Sequence, residues 1–470
     1  MIGNIVKAAA IEVTKGTPVG AYLSARDRLG SQYEMNLSLL AFSQICHMFG
    51  SLILSLQDET ISPIEMPPCT IVRPDPKDLP FPNIGIQKKE LTLSTPVSGK
   101  PFKIARFSLT EGKEPKTTEL KGMPIVLELG LGISWSQLLL GQSIREELKE
   151  AGELEGNESV IEQFLNHGAK EVIAIPQAGI AENAGYPIGL KDPFSIMQED
   201  FLPSFEDFLI KTYGVYSKIG WLGHSEGARN TTTRISAVKL SKNPHLNRLY
   251  ENNRVVCCGH PNINFMDSVP DMLSLLTPLL KKWGVTYLDY QGLGKLVAML
   301  KLEPNLINSP LNIGLLFLEK TFNKENDPTG EKKARAVKII KEFFQHAAWP
   351  IPINMMIRYA NAAHSKVFYG VKNLPWVSLP DLRRLDLSMI DDGLGSNLKL
   401  EDYIATQPED IRQQVQRRFI DRNNLPDTGL TGLSAPWTVL RMHGTHLEQV
   451  VPGTPAYPFI MKTIIEFMAA

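Results

Sequence analysis

The chain has 470 residues, 43% of them hydrophobic and 21% charged, and its 49 Lys and Arg against 50 Asp and Glu leave a formal charge of −1. That length exceeds one ordinary domain and can bury a large core. The near-neutral, apolar composition excludes both a charged disordered chain and a polycation built for nucleic acid.

The first sixteen residues lack the basic start and apolar run of a secretory signal, so no signal peptide and a cytoplasmic location are expected. Cys46, Cys69, Cys257 and Cys258 are too few for a disulfide scaffold and show no C-x-x-C spacing, which suits a reducing compartment. Residues 36–57 carry no formal charge, yet Asn36, Ser38, Ser43, Gln44 and His47 interrupt them, while Leu39, Leu40, Ile45, Met48 and Phe49 fall near helical spacing. An amphipathic helix, packed or lying on a membrane surface, is expected rather than a spanning one. Residues 1–62 are thus a helical extension. Residues 63–89 are a linker, because Pro63, Pro67, Pro68, Pro74, Pro76, Pro80 and Pro82 deny helix and central strand alike.

Beyond the linker, strands alternate with helices, the pattern of a mostly parallel sheet with crossover helices and an α/β class. Residues 91–94 and 102–109 read as a first strand pair, and 125–129 as a buried strand running into Gly130-Leu131-Gly132. A helix follows over 134–151, then a helix over 159–166 feeding a strand at 172–175. Residues 201–213 read as helix, 218–222 as strand, and 254–258 as a strand on which Cys257 and Cys258 point to opposite faces.

Gly223-His224-Ser225-Glu226-Gly227 matches G-x-S-x-G, in which a serine sits on a strained turn between strand and helix and flanking glycines relieve the crowding. Ile219, Trp221 and Leu222 before it are strand-like, and the residues from Ala228 to Leu240 are helix-compatible, so the context suits a nucleophile. At the other end, 437–442 is a β-rich run, Gly444-Thr445-His446 breaks it, and 455–468 resumes as an apolar helix. A base that takes the serine proton must come late in such a fold, where the last strand ends beside the turn. His446 is the candidate, with His443 on the strand end as runner-up.

These residues, in this order, resemble the α/β-hydrolase superfamily, and the layout is similar to its acid-lipase and esterase branches over residues 90–265 and 385–470. The resemblance implies a serine, acid, histidine order along the chain. It also implies that the loop at Gly130-Leu131-Gly132, with Leu129 where that family usually has histidine, cradles an oxyanion through the N–H groups of Leu131 and Glu226. The acid is the least legible member. Asp402, in the run Asp402-Tyr403-Ile404-Ala405 before Pro408, resembles the acid-lipase aspartate, although no apolar strand precedes it. Asp391 and Asp392, directly after the strand-like 385–390, are the alternative, and Glu448 or Asp267 stand behind them. A helix over 408–419 is expected to return the chain to 437.

Residues 266–380 form an insertion between the two parts of the core, 90–265 and 381–470. Apolar helices at 272–283 and 293–300 read either as a helical subdomain or as a lid over an acyl pocket. Lys281, Lys282, Lys332, Lys333 and Arg335 read as solvated helix faces. Gly292-Leu293-Gly294-Lys295 lacks phosphate-loop spacing and His443 with His446 lack a third ligand, so neither metal nor other cofactor is expected. The reading is a serine hydrolase of carboxylic esters with a lipid-like acyl substrate, possible peripheral membrane contact and no nucleic-acid partner. A silent hydrolase fold that docks on a membrane or protein is the alternative. The layout is also loosely similar to SidB-type lipase-like effectors of Legionella, which implies delivery into a host cell.

Overall fold

A computed structural model describes residues 84–95, 99, 101–130, 133, 135–177, 181–183, 201–238, 244–259, 321–322, 327–345, 381–390, 392, 397–420 and 435–470. The expected 1–62 extension and the apolar helices expected at 272–283 and 293–300 lie outside these residues. Among the described residues, no helix is long and apolar enough to cross a membrane.

Nine strands are described: β1 (Ile86–Ser94), β2 (Pro101–Leu109), β3 (Ile125–Glu128), β4 (Val172–Ile175), β5 (Gly220–His224), β6 (Arg254–Cys258), β7 (Arg383–Met389), β8 (Val415–Ile420) and β9 (Trp437–Met442). They form one sheet in the order β1-β2-β4-β3-β5-β6-β7-β9-β8. The β1–β2 hairpin is antiparallel and β2 joins β4 antiparallel, whereas the strands from β4 across to β8 run parallel. This is the mostly parallel sheet with flanking helices expected from the sequence. The first strand begins at Ile86, inside the stretch read as linker, because the last proline of that stretch is Pro82.

The central strands β3, β4, β5 and β6 are buried at every position, as a sheet covered by helices on both faces requires. Alternate residues divide between two cores. Leu127, Val256, Cys258 and Leu387 face one, while Val126, Val255, Cys257 and Val439 face the other. The adjacent cysteines are therefore separate buried thiols, and burial pushes the Cys257 thiol up to about 12.

The helices follow local signals. The expected single helix over 134–151 is split into a 3₁₀ turn (Trp135–Leu138) and α1 (Gln142–Glu150), because Gly141 takes an extended ψ of 157° and starts the helix afresh. Ser159 caps α2 (Val160–Asn166) in a capping box with Glu162. In α3 (Leu202–Tyr213), Phe205 and Leu209 turn inward, and Phe201 just before it stacks at 4.0 Å on Phe102 and 5.3 Å on Phe205. Burying each such side chain contributes about 1.5–3 kcal/mol. α4 (Glu226–Val238) and α5 (Pro244–Glu251) connect β5 to β6, and the terminal helix α9 (Tyr457–Ala469) packs on β6 and α2.

Between β6 and β7 along the chain, α6 (Glu331–Gln345) buries Ala336, Ile339 and Ile340 in the first core. Lys332 and Lys333 are exposed, as expected, whereas Arg335 reaches Glu153 at 2.7 Å and Lys338 reaches Glu147 at 2.9 Å.

After β7 come α7 (Asn397–Ala405) and a short α8 (Glu409–Gln413). The expected helix over 408–419 stops there, and its second half is the edge strand β8 beside β9. Only its two ends are buried, Val415 in one core and Ile420 in the other; between them Arg417 pairs with Glu401 of α7 at 2.9 Å, and Phe419 stays 59% exposed.

β7 is locked to β9 by a buried polar knot. Arg384 holds Asp386 through two bonds of 2.7 and 2.9 Å, Trp437 Nε1 donates to the same carboxylate at 2.6 Å, and the guanidinium lies 4.8 Å over the Trp437 ring.

Candidate active site

Strand β5 ends at His224, and the next residue, Ser225, has φ of +56°, a left-handed value that costs a non-glycine residue strain. Its backbone is held there: Ser225 N–H donates to the Cys258 carbonyl at 2.9 Å, and Ala228 N–H donates back to the Ser225 carbonyl at 3.0 Å. Both motif glycines are sterically required. A Cβ on Gly223 would stand 2.7 Å from Ala228 Cα, and one on Gly227 would collide with the Glu128 carbonyl at the end of β3. The half-buried Ser225 thus leaves the carboxyl edge of the sheet at the N-terminus of α4.

Beneath this turn Glu128 is paired with Arg234 and accepts the Thr231 hydroxyl at 2.5 Å, all three buried. Beside it, Gln177 donates to the Leu129 carbonyl at 2.7 Å and itself accepts from Asn230 at 3.0 Å. These bonds tie the end of β3 to β4's following loop and to α4. Gly130 then passes so close to the elbow that a Cβ on it would sit 3.1 Å from Ser225 Cβ. Leu131, named for the oxyanion, lies outside the described residues; Glu226 opens α4, where its N–H lies at the helix N-terminus.

His446 comes to the same edge from the loop after β9. Thr445 N–H donates to Glu448 Oε2 at 2.7 Å, and Thr321 adds its hydroxyl to that oxygen at 3.2 Å. Glu448, weighed above as an acid, therefore acts on the loop backbone. The His446 ring packs on the end of β6, where a Cβ on Gly259 would stand 2.8 Å from Nδ1. Nδ1 lies 2.8 Å from Asp392 Oδ2, with both side chains buried. His443 goes elsewhere, its ring meeting Phe419 of β8 edge-on at 6.1 Å.

The carboxylate on His446 is thus Asp392 rather than Asp402. Asp392 follows β7 by three residues, and its N–H donates to the Met389 carbonyl at 3.3 Å in the turn that leaves the strand. Asp402 belongs to α7, a helix beyond that turn. Asp391 and Asp267 lie outside the described residues.

His224 fills a variable position of the G-x-S-x-G motif and was not among the expected site residues. Its Nε2 lies 3.0 Å from the His446 carbonyl and its ring 4.7 Å from the His446 ring. Burial, then the neighbouring His446, hold its pKa down at about 3. The signal was an imidazole at a wholly buried strand end. Gln177 was missed as well, since no motif contains it. Among the described residues, no group of three His, Cys, Asp or Glu side chains is arranged to hold a metal.

No protein-family model and no curated protein matches the chain. Among solved structures it is similar to an acetylester hydrolase from Corynebacterium glutamicum, at 12% identity over 82% of this chain and 96% of that one with a TM-score of 0.42. A peroxisomal alpha-beta-hydrolase from Saccharomyces cerevisiae is 12% identical over 82% and 88%, with a TM-score of 0.40. A thermophilic esterase from Thermogutta terrifontis is 14% identical over 77% and 93%, with a TM-score of 0.38.

Proposed function

We propose that the chain is a serine hydrolase of carboxylic esters that works through Ser225, His446 and Asp392. The observation that carries this reading is the buried 2.8 Å contact between His446 Nδ1 and Asp392 at the strand edge where Ser225 is held at a positive φ. A carboxylate at Nδ1 keeps the imidazole proton on that nitrogen and leaves the basic lone pair on Nε2. Ser225 Oγ attacks the ester carbonyl as Nε2 takes its proton. The Glu226 N–H, with one from the loop after Gly130, stabilises the oxyanion. Collapse of the tetrahedral species expels the alcohol, which takes the proton back from His446. Water then repeats the sequence on the acyl-enzyme and releases the acid, so no cofactor is needed.

A lipid-like acyl group is the favoured substrate, because the insertion brings apolar sequence such as Leu273-Ser274-Leu275-Leu276 between the two halves of the core. The docking-module alternative drew support from the lack of a strand before Asp402; the Asp392 contact with His446, three residues past β7, favours the catalytic reading.

A labelled fluorophosphonate and a series of p-nitrophenyl esters test the reading. Wild-type protein is expected to be labelled and to turn over esters, with Ser225→Ala unlabelled and slower by about 10⁴ to 10⁶. A folded Ser225→Ala protein with undiminished turnover refutes it.

A further inference from the structure

We propose that His224 is a positioning residue for the base: its ring donates from Nε2 to the backbone carbonyl of His446 and registers the imidazole against the neighbouring serine. This rests on the ester-hydrolase reading and adds the device that aligns its two reacting side chains.

The geometry is specific. His224 is the last residue of β5 and the one that Ser225 follows, so the strand that aims the nucleophile also carries this ring. Its Nε2 meets the His446 carbonyl at 3.0 Å, a partner 222 positions later in the chain, and the ring is only 4% exposed. A carbonyl can only accept, so Nε2 must carry the proton and the neutral ring has its lone pair on Nδ1. That lone pair has no partner among the described residues and faces Gly130, on which a Cβ would stand 3.2 Å from Nδ1. Burial and the adjacent His446 keep His224 uncharged down to about pH 3, so the donor at Nε2 does not change over working pH.

The base is then held by ties from different strands. Asp392, after β7, fixes Nδ1 of its ring, and Glu448 fixes the preceding N–H of its loop. His224 ties its carbonyl to β5 itself. Without that tie the loop after β9 can move relative to the elbow while the Asp392 contact survives, and a displacement of about 1 Å between reacting groups costs on the order of 10²-fold in rate.

His224→Met and His224→Gln separate a hydrogen bond from mere filling of space. Both side chains reach a similar depth, but only the glutamine amide donates. With a short p-nitrophenyl ester, His224→Met is expected to lose about 10²-fold in kcat with KM nearly unchanged and to react with fluorophosphonate correspondingly slowly. Its thermal unfolding midpoint should match that of His224→Gln, which is expected to recover most of the rate. A folded His224→Met at wild-type kcat, a His224→Gln as slow as His224→Met, or a His224→Met that fails to fold overturns the proposal. Nitrogen-15 NMR of the wild-type imidazoles tests the geometry without any turnover: His224 should show its proton on Nε2 and no titration from about pH 4.5 to 9. A proton on Nδ1, or titration in that window, also overturns it. Wild-type protein that neither turns over esters nor labels refutes the hydrolase reading, and the rate role falls with it.

Discussion

Asp392→Asn is the sharpest test of the site. The carboxylate is buried against a buried imidazole with Nδ1 to Oδ2 at 2.8 Å, so little solvent screens the pair. Asparagine keeps the size and loses the charge. If its amide N–H turns toward Nδ1, the ring must place its proton on Nε2, and the lone pair that should accept the serine proton is gone. If its carbonyl turns there instead, the tautomer survives but the imidazolium formed during attack has no counter-charge. Both outcomes raise the barrier, and the wrong-tautomer case costs about 10⁴ in kcat, or about 5 kcal/mol. Steady-state turnover of a short p-nitrophenyl ester measures it directly. Asp402→Asn, made in parallel, is expected to leave kcat within about threefold, as an ordinary substitution outside the site does. A large loss at Asp402 with Asp392→Asn active would refute the assignment and the reasoning behind it.

Glu206 is buried and accepts the Tyr250 hydroxyl at 2.7 Å, yet burial raises its pKa from 4.5 to about 7. The folded state therefore binds this proton more tightly than the unfolded chain: its contribution is whole below pH 4.5 and is lost as pH rises to about 7. Glu206→Gln should stabilise by up to about 3 kcal/mol at pH 8 and by little near pH 4, read from urea midpoints at the two values; equal midpoint shifts at both would refute it. Arg384→Met leaves Asp386 buried without its guanidinium and should destabilise by about 3–5 kcal/mol in the same assay, with Arg384→Met/Asp386→Leu recovering most of the loss. A fully additive double variant would show that the pair does not act as a unit.

Local patterns made much of this protein legible in its sequence. The short, largely apolar, β-branched runs at 125–128, 172–175, 254–258 and 437–442 read as covered strands, and they are β3, β4, β6 and β9. The elbow was readable because its chemistry is contiguous: strand, two glycines around a serine, then helix, all within about twenty residues. Cys257 and Cys258 were assigned to opposite faces by pleat alone, and they lie in different cores.

Tertiary structure decided everything that depends on which strand lies next to which. The run Val415-Gln416-Arg417-Arg418-Phe419-Ile420 fits a helix as well as a strand by composition, and it is a strand because the outer side of β9 supplies a parallel partner for its backbone. Asp386, on the same β7 that leads to Asp392, is taken up by Arg384 and Trp437, a pairing that exists only because β7 and β9 are neighbours. Asp402 carried the better sequence likeness and Asp392 the position. A hydrogen bond is a matter of about 3 Å in space, and the chain from 392 to 446 must close a long loop before that distance exists. The same holds for His224 and the His446 carbonyl, which lie 222 residues apart along the chain and 3.0 Å apart in the fold.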